Sequence, residues 1–232
     1  MYEISFFDLL WIFIPILLVY YIYQKWNKDK KTIPYALSRM VLQLVFIGYI
    51  LTFIFETKNF YIILFTLSIM LIVASIIAMR PVESKNKNIY FVSFISIFIG
   101  SVITLSFVIL GVLDLSLWYE PRFLIPLAGM IFANAMNSVS IAAERYNVEY
   151  QREKDYFQAR NIAYKASLIP NINSLFAVGL VSIPGMMTGQ ILSGISPLIA
   201  VKYQIMVMCM VISSSGISTA IYLKIIKKYN RN

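Results

Sequence analysis

Histidine is missing altogether, and cysteine occurs once, at Cys209, in this chain of 232 residues. Without histidine the commonest metal ligand and neutral-pH general base is gone, and most zinc and hydrolytic chemistries go with it. A single cysteine excludes an intrachain disulfide and leaves the redox compartment unmarked. There is no Gly-x-x-x-x-Gly-Lys-Ser/Thr run, and none of the nine glycines precedes a lysine. The chain therefore lacks a phosphate-binding loop; if ATP drives it, another chain binds the nucleotide. Charge is scarce as well, at 13% of residues, against roughly 25% in soluble domains.

What is present in excess is apolar sequence, 59% of residues, in blocks of bilayer length. The most telling block is 166–201. It is 36 residues without Asp, Glu, Lys or Arg, yet it holds Pro170, Pro184, Pro197 and four glycines. A span needs about 20 apolar residues. As one helix this run would reach roughly 54 Å, nearly twice a ~30 Å hydrocarbon core. Proline and glycine inside a span free backbone groups that neighbouring helices or a wet cavity must satisfy, and broken segments of this kind mark transport paths. The expected course enters the membrane near Pro170, breaks at Pro184-Gly185 and turns on the far side at 193–197.

Seven uncharged or nearly uncharged blocks are legible: 4–23, 40–55, 59–79, 88–113, 123–143, 166–201 and 203–223. Seventeen of the 20 lysines and arginines fall in alternate loops and at the C-terminus, leaving Lys58, Arg122 and Lys202 on the other side. Cationic loops stay cytoplasmic. The expectation is an all-α, polytopic transmembrane bundle of about seven spans, with the N-terminus outside and the C-terminus inside. It forms one permease domain, 1–232, in a cell membrane of the bacterial inner type. The net charge of +9 is then a topology signal and does not point to nucleic acid. The first block lacks the basic leader and cleavage site of a signal peptide and reads as a retained helix. Asp8 within it reads as an interface carboxylate.

The one sizeable soluble piece is 144–165, within a cytoplasmic loop 144–169. No proline or glycine interrupts 144–165, and helix formers dominate. Tyr146, Tyr150, Tyr156, Phe157 and Tyr164 fall loosely at helical spacing. A helix leading directly into a broken span can deliver force from an ATPase, through Glu149, Arg152, Glu153 and Tyr156. It can equally lie solvated on the membrane surface.

The run Pro170-Asn-Ile-Asn-Ser174, the block Val178-Gly-Leu-Val-Ser-Ile-Pro-Gly-Met-Met-Thr-Gly-Gln190, and Gly194-Ile-Ser-Pro197 closely resemble the FetB/YbbM family. So do Pro126-Leu-Ala-Gly-Met130, Asn134-Ala-Met136, and Arg39 with Gln43-Leu44. The likeness covers nearly the whole chain. It implies a membrane subunit of an ABC transporter linked to iron export or metal resistance. Such a subunit pairs with a separate ATPase, plausibly as two permeases with two ATPases. Plant relatives are linked to aluminium tolerance and nucleotide-sugar transport. Two departures stand out: Ala133 replaces a family glycine, and the loop before Pro170 is shorter and lacks a Leu-Gly-Ala turn.

Each candidate residue has a plain alternative. Met186 and Met187 offer soft thioether ligands or fill a helix interface. Gly185-Met-Met-Thr-Gly189, with Thr188 and Gln190, forms a hinge and path, or simply lets two helices approach. Asn134 and Asn137, with Ser138, line a path or bond neighbouring helices. Gln43 sits one turn from Arg39, which can snorkel to phosphates. Cys209, among Met206, Met208 and Met210, reads as packing. The function expected is a non-catalytic permease subunit that exports iron, another metal or a small metal-linked solute. It binds no cofactor itself and uses ATP through its partner. The alternatives are an ATP-independent carrier or channel, or a membrane assembly protein without a path. Ion-coupled carriers need buried ionisable relays, and apart from Asp8 the blocks lack them.

Overall fold

The computed structural model describes residue 5 and residues 7–56, 59–82, 86–115 and 117–229. Among them every regular element is helical and no strand forms. Contacts divide the chain into two units, Met1–Thr57 and Lys58–Asn232.

In the first unit a 3-10 turn, Asp8–Ile12, leads into α1 (Phe13–Asn27), and α2 (Thr32–Glu56) follows. α1 stops where Lys28 adopts a left-handed φ of 55° and returns its N–H to the Gln24 carbonyl. The Asp29 carboxylate then accepts the Lys31 and Thr32 N–H groups at 2.9 and 3.2 Å, fixing the start of α2. α1 buries no side chain and α2 buries only Ile54. Helices apolar on every side belong in lipid.

The second unit holds α3 (Phe60–Ala78), α4 (Lys87–Ser106), α5 (Pro121–Glu153), α6 (Tyr156–Ala177), α7 (Gly185–Leu192) and α8 (Pro197–Ile226). A π-helical stretch, Phe107–Leu113, extends α4. Asn59 and Asn86 cap α3 and α4 by accepting the N–H groups of Tyr61 and Asn88. α5 is the hub, packed on α3, α4, α6 and α8. Its stripe of Ala128, Ile131, Ala135, Val139, Ala142 and Tyr146 repeats every three or four residues and is buried throughout. α8 crosses α4 on small residues. Ser96, Gly100 and Ser101 of α4 and Ser214, Ser215 and Ser218 of α8 are buried there, with Gly100 directly against Ser218. Such residues let helix backbones approach closely where no hydrophobic gain separates lipid from protein.

Six of the described helices are long and apolar enough to cross a membrane: Asp8–Asn27, Thr32–Glu56, Phe60–Ala78, Lys87–Leu113, Pro121–Glu153 and Pro197–Ile226. The remaining block, 166–201, is no single helix. It is the second half of α6, a non-helical stretch at 178–184, then α7 and the start of α8. Lys58, Lys85 and Arg231, three of the cations in the charge asymmetry, lie outside the described residues.

Candidate functional site

The segment 144–165, expected as one cytoplasmic helix, is helical but folds as a hairpin. α5 runs on through Glu153 as the stripe of Ala142, Tyr146 and Glu149 continues to be buried. The chain reverses at Lys154, whose φ is 54°, and Asp155 caps α6 by accepting the Phe157 N–H at 2.8 Å. Aromatic rings lock the tip. Tyr146 stacks on Tyr150 with centroids 5.5 Å apart and meets Tyr156 edge-on at 6.3 Å. The Tyr156 hydroxyl donates to the Leu223 carbonyl of α8 at 3.1 Å. Glu149 is buried and pairs with Arg145 at 2.7 Å. Of the four residues expected to meet an ATPase, Glu149 and Tyr156 therefore face inward and hold the hairpin together. Arg152 and Glu153 stand out at the tip, 3.5 Å apart.

From this tip α6 runs without interruption to Ala177, passing straight through Pro170. Pro170 thus lies inside a helix and does not begin one. Deeper in the hairpin, buried Asn171 donates to Ser138 of α5 at 3.1 Å. In an antiparallel pair, Ala177 then lies level with about Phe132. That is about 17 Å from Pro121, near the middle of a ~30 Å core.

There the helix ends. The Ala177 carbonyl accepts the N–H groups of Leu180, Val181 and Ser182 at 3.2, 2.8 and 3.2 Å. Gly179 turns through a φ of +83°, a conformation that costs a side-chain-bearing residue. The break runs from 178 to 184, opening on the Gly179 turn and ending at the expected Pro184-Gly185. Pro184 itself is the N-cap residue of α7, with Gly185 first in the helix. Proline is tolerated at such a start because the first N–H groups of a helix have no partner within it. Thr188 bonds back to the Pro184 carbonyl at 3.1 Å. α7 ends with Gly194 at φ +88°, while Ile195 N–H reaches Gln190 O and Gly194 N–H reaches Ile191 O at 3.0 Å each. This pair of bonds closes the helix end and starts α8 at Pro197.

Beyond the break, α7 lies beside the Pro121 half of α5 and the start of α8. Between them is a cavity of about 450 Å³, lined by Met130, Met186, Met206, Gln190, Tyr203 and Arg122 among others. The Gln190 Oε1 is buried there and finds no hydrogen-bond partner among the described residues. Two expected residues, Met186 and Gln190, thus meet at one site. Met130, Met206, Tyr203 and Arg122 join them, although nothing in local spacing linked residues so far apart. The donors are thioether, amide and phenol. Among the described residues no three of His, Cys, Asp or Glu converge to hold a metal. Of these groups only the thioethers are soft; the amide and phenol oxygens are hard, and Arg122 adds a positive charge.

The other expected residues are scattered. Asn134 spends its amide on the Met130 carbonyl of its own helix at 2.9 Å, and Asn137 is exposed. Met187 and Gly189 are partly buried on α7. A methyl group added at Gly185 or Gly189 would meet nothing within 4 Å, so this Gly-x-x-x-Gly face is open. Gln43 is exposed on α2, in the first unit. Met206, Cys209 and Met210 do share one face of α8, since three- and four-residue steps return to the same side. They line a second groove of about 590 Å³ with Thr104 and Phe107.

Six described helices of bilayer length define a multi-span membrane protein. The chain belongs to the Uncharacterised protein family UPF0014, whose model matches residues 6–230. It is 34% identical to the Probable iron export permease protein FetB of Escherichia coli K12 over 221 residues, 87% of this chain and 83% of that one. It is 34% identical to the UPF0014 membrane protein slr1647 of Synechocystis over 200 residues, 80% of this chain and 77% of that one. Protein ALUMINUM SENSITIVE 3 of Arabidopsis thaliana is 33% identical over 82% of this chain and 74% of its own length. No solved structure matches.

Proposed function

We propose that this chain is the membrane-spanning permease subunit of an ABC transporter. It exports iron, another metal or a small metal-linked solute, and a separate subunit hydrolyses the ATP. The observation that carries the reading is mechanical. The exposed tip at Arg152 and Glu153 connects through one unbroken helix to the break at 178–184. Ring contacts and the Asn171–Ser138 bond keep that helix in register with α5. A push at the tip is thereby delivered to the middle of the membrane, beside the methionine-lined cavity.

The broken segment supplies the seventh crossing, α6 inward of the break and α7 outward of it, with the N-terminus outside and the C-terminus inside. Leu180 and Val181 at the break are 90% and 85% exposed. Irregular backbone at that depth is not tolerated against lipid. A second copy apposed on the break and on the open Gly185/Gly189 face would cover it, and would enclose a path between two permeases. The likeness to a probable iron export permease supports the cargo class.

The test is co-expression with an ABC ATPase from the same genome. The pair should co-purify, and the membrane chain alone should hydrolyse no ATP. Exchanging the charges, Arg152→Glu with Glu153→Lys, should weaken the complex while the membrane part stays folded. A complex indifferent to the exchange would refute the coupling role.

A further inference from the structure

The largest of the described cavities lies away from the break at 178–184. It lies between the first turns of α6 and the last turns of α8 and encloses about 1010 Å³. Four cations reach it: Arg160, Lys224, Lys227 and Lys228. No acidic side chain lines it, and none of the four forms an ion pair among the described residues. Asp155, one turn before Arg160, spends its carboxylate capping α6.

Two of the cations share one pair of rings. The Arg160 guanidinium lies 5.7 Å from the Tyr156 ring centre and 5.4 Å from that of Phe157. The Lys227 ammonium lies 4.6 and 5.0 Å from the same two rings. Ring faces attract each cation, but two like charges on one pair of rings repel. Asn161 Oδ1 accepts from Arg160 at 2.8 and 3.1 Å, yet it brings no negative charge. An anion seated among them would relieve that repulsion and gain charge-assisted hydrogen bonds.

The rest of the wall says which anion. Tyr164 of α6 and Ala220 and Leu223 of α8 complete the wall. Its volume greatly exceeds a bare phosphate, and its polarity is graded from cationic to apolar. We infer that this cavity holds the headgroup phosphate of an anionic phospholipid, with its glycerol backbone against Tyr164 and Ala220. Basic pockets between spans at the cytoplasmic face commonly take such headgroups. The inference rests on the inward orientation of this end, but not on the identity of any cargo. A lipid there bridges α6 to α8 and so sets the stance of the lever.

The experiment is native mass spectrometry of the intact chain, released from micelles holding equal phosphatidylglycerol and phosphatidylcholine. Retained phosphatidylglycerol is expected in excess. Lys224→Gln with Lys228→Gln, both exposed, should cut that preference by roughly tenfold without changing the elution profile. Lys224→Arg with Lys228→Arg should keep it, as should Lys30→Gln with Lys31→Gln in the first loop. Equal retention of both lipids, or equal loss in the first-loop variant, would overturn the inference. So would displacement of the lipid by millimolar inorganic phosphate, which would make this a site for a free anion. Capture of an acidic soluble partner that excludes the lipid would likewise overturn it. Loss of ATPase pairing with the lipid preference intact would count against the proposed function alone.

Discussion

Gly100 is the tightest point between α4 and α8, and Gly100→Ala measures how closely the two helices depend on each other. A methyl carbon built there would lie 2.8 Å from the Ser218 backbone nitrogen and 3.1 Å from its Cα, besides meeting the Ser218 hydroxyl. The hydroxyl can rotate away, but the backbone cannot. Restoring ordinary contact of about 3.5–4.0 Å requires the helices to separate by roughly 0.5–1 Å. Overpacking of this kind costs about 1–3 kcal/mol. The helical preference of alanine over glycine returns about 0.5–1 kcal/mol, so the net loss is about 0–2.5 kcal/mol, toward the upper end because the contact is with backbone. At about 2–4 °C per kcal/mol for a chain of this size, the melting midpoint should fall by several degrees, up to about 10 °C. The assay is detergent-solubilised melting followed by size-exclusion fluorescence. Gly48→Ala in α2, where the methyl meets nothing within 4 Å, is the control and should melt no lower than the parent. Ser218→Gly in the Gly100→Ala background should recover only part of the loss, since the backbone contact remains. A Gly100→Ala protein as stable as the parent would show that α4 and α8 do not approach as described.

Other substitutions separate scaffold from lever. Glu149→Ala breaks the buried pair with Arg145 and should lower the melting midpoint by about 1–3 kcal/mol equivalent, whereas Arg152→Glu with Glu153→Lys should leave it unchanged. Melting curves of the two variants side by side decide the point. Gly179→Ala forces a side chain into a left-handed φ of +83° with open space around it, costing roughly 1–2 kcal/mol. It should reduce substrate-stimulated ATP hydrolysis per folded complex more than Gly185→Ala, which sits at an ordinary helical position; equal activity would move the hinge away from Gly179. For topology, in a Cys209→Ser background, a cysteine at Asn86 should react with an impermeant thiol reagent only after the membrane is opened. A cysteine at Asn59 should react in intact cells; the reverse pattern would invert the chain.

Much of the architecture is legible in the sequence because lipid imposes long uncharged blocks. Block 59–79 became Phe60–Ala78, and 88–113 became Lys87–Leu113. Absence of charge, however, marks bilayer depth and not helix ends. α6 starts at Tyr156, carrying Arg160 and Lys165, well before the uncharged run begins. Proline marked one edge of the break and not the other. Pro170 and Pro126 sit inside helices and Pro184 begins one, while the left-handed turn falls on Gly179. At the tip, Glu149 belongs to a charged run in sequence, yet the stripe of Ala135, Val139, Ala142 and Tyr146 extends one turn further and buries it. Of that stripe, Tyr146 alone stood out in the sequence. The meeting of Met130, Met186 and Met206 was not legible, since three separate helices supply them.

The central claim is that ATP hydrolysis elsewhere moves a solute through this chain. Inside-out proteoliposomes containing the chain and its ATPase, supplied with ferrous iron and ATP, test it most directly. Iron should accumulate in the lumen only when both chains and hydrolysable ATP are present, and an ATPase-dead partner should abolish it. Accumulation driven by this chain alone, or untouched by the dead partner, would contradict the account.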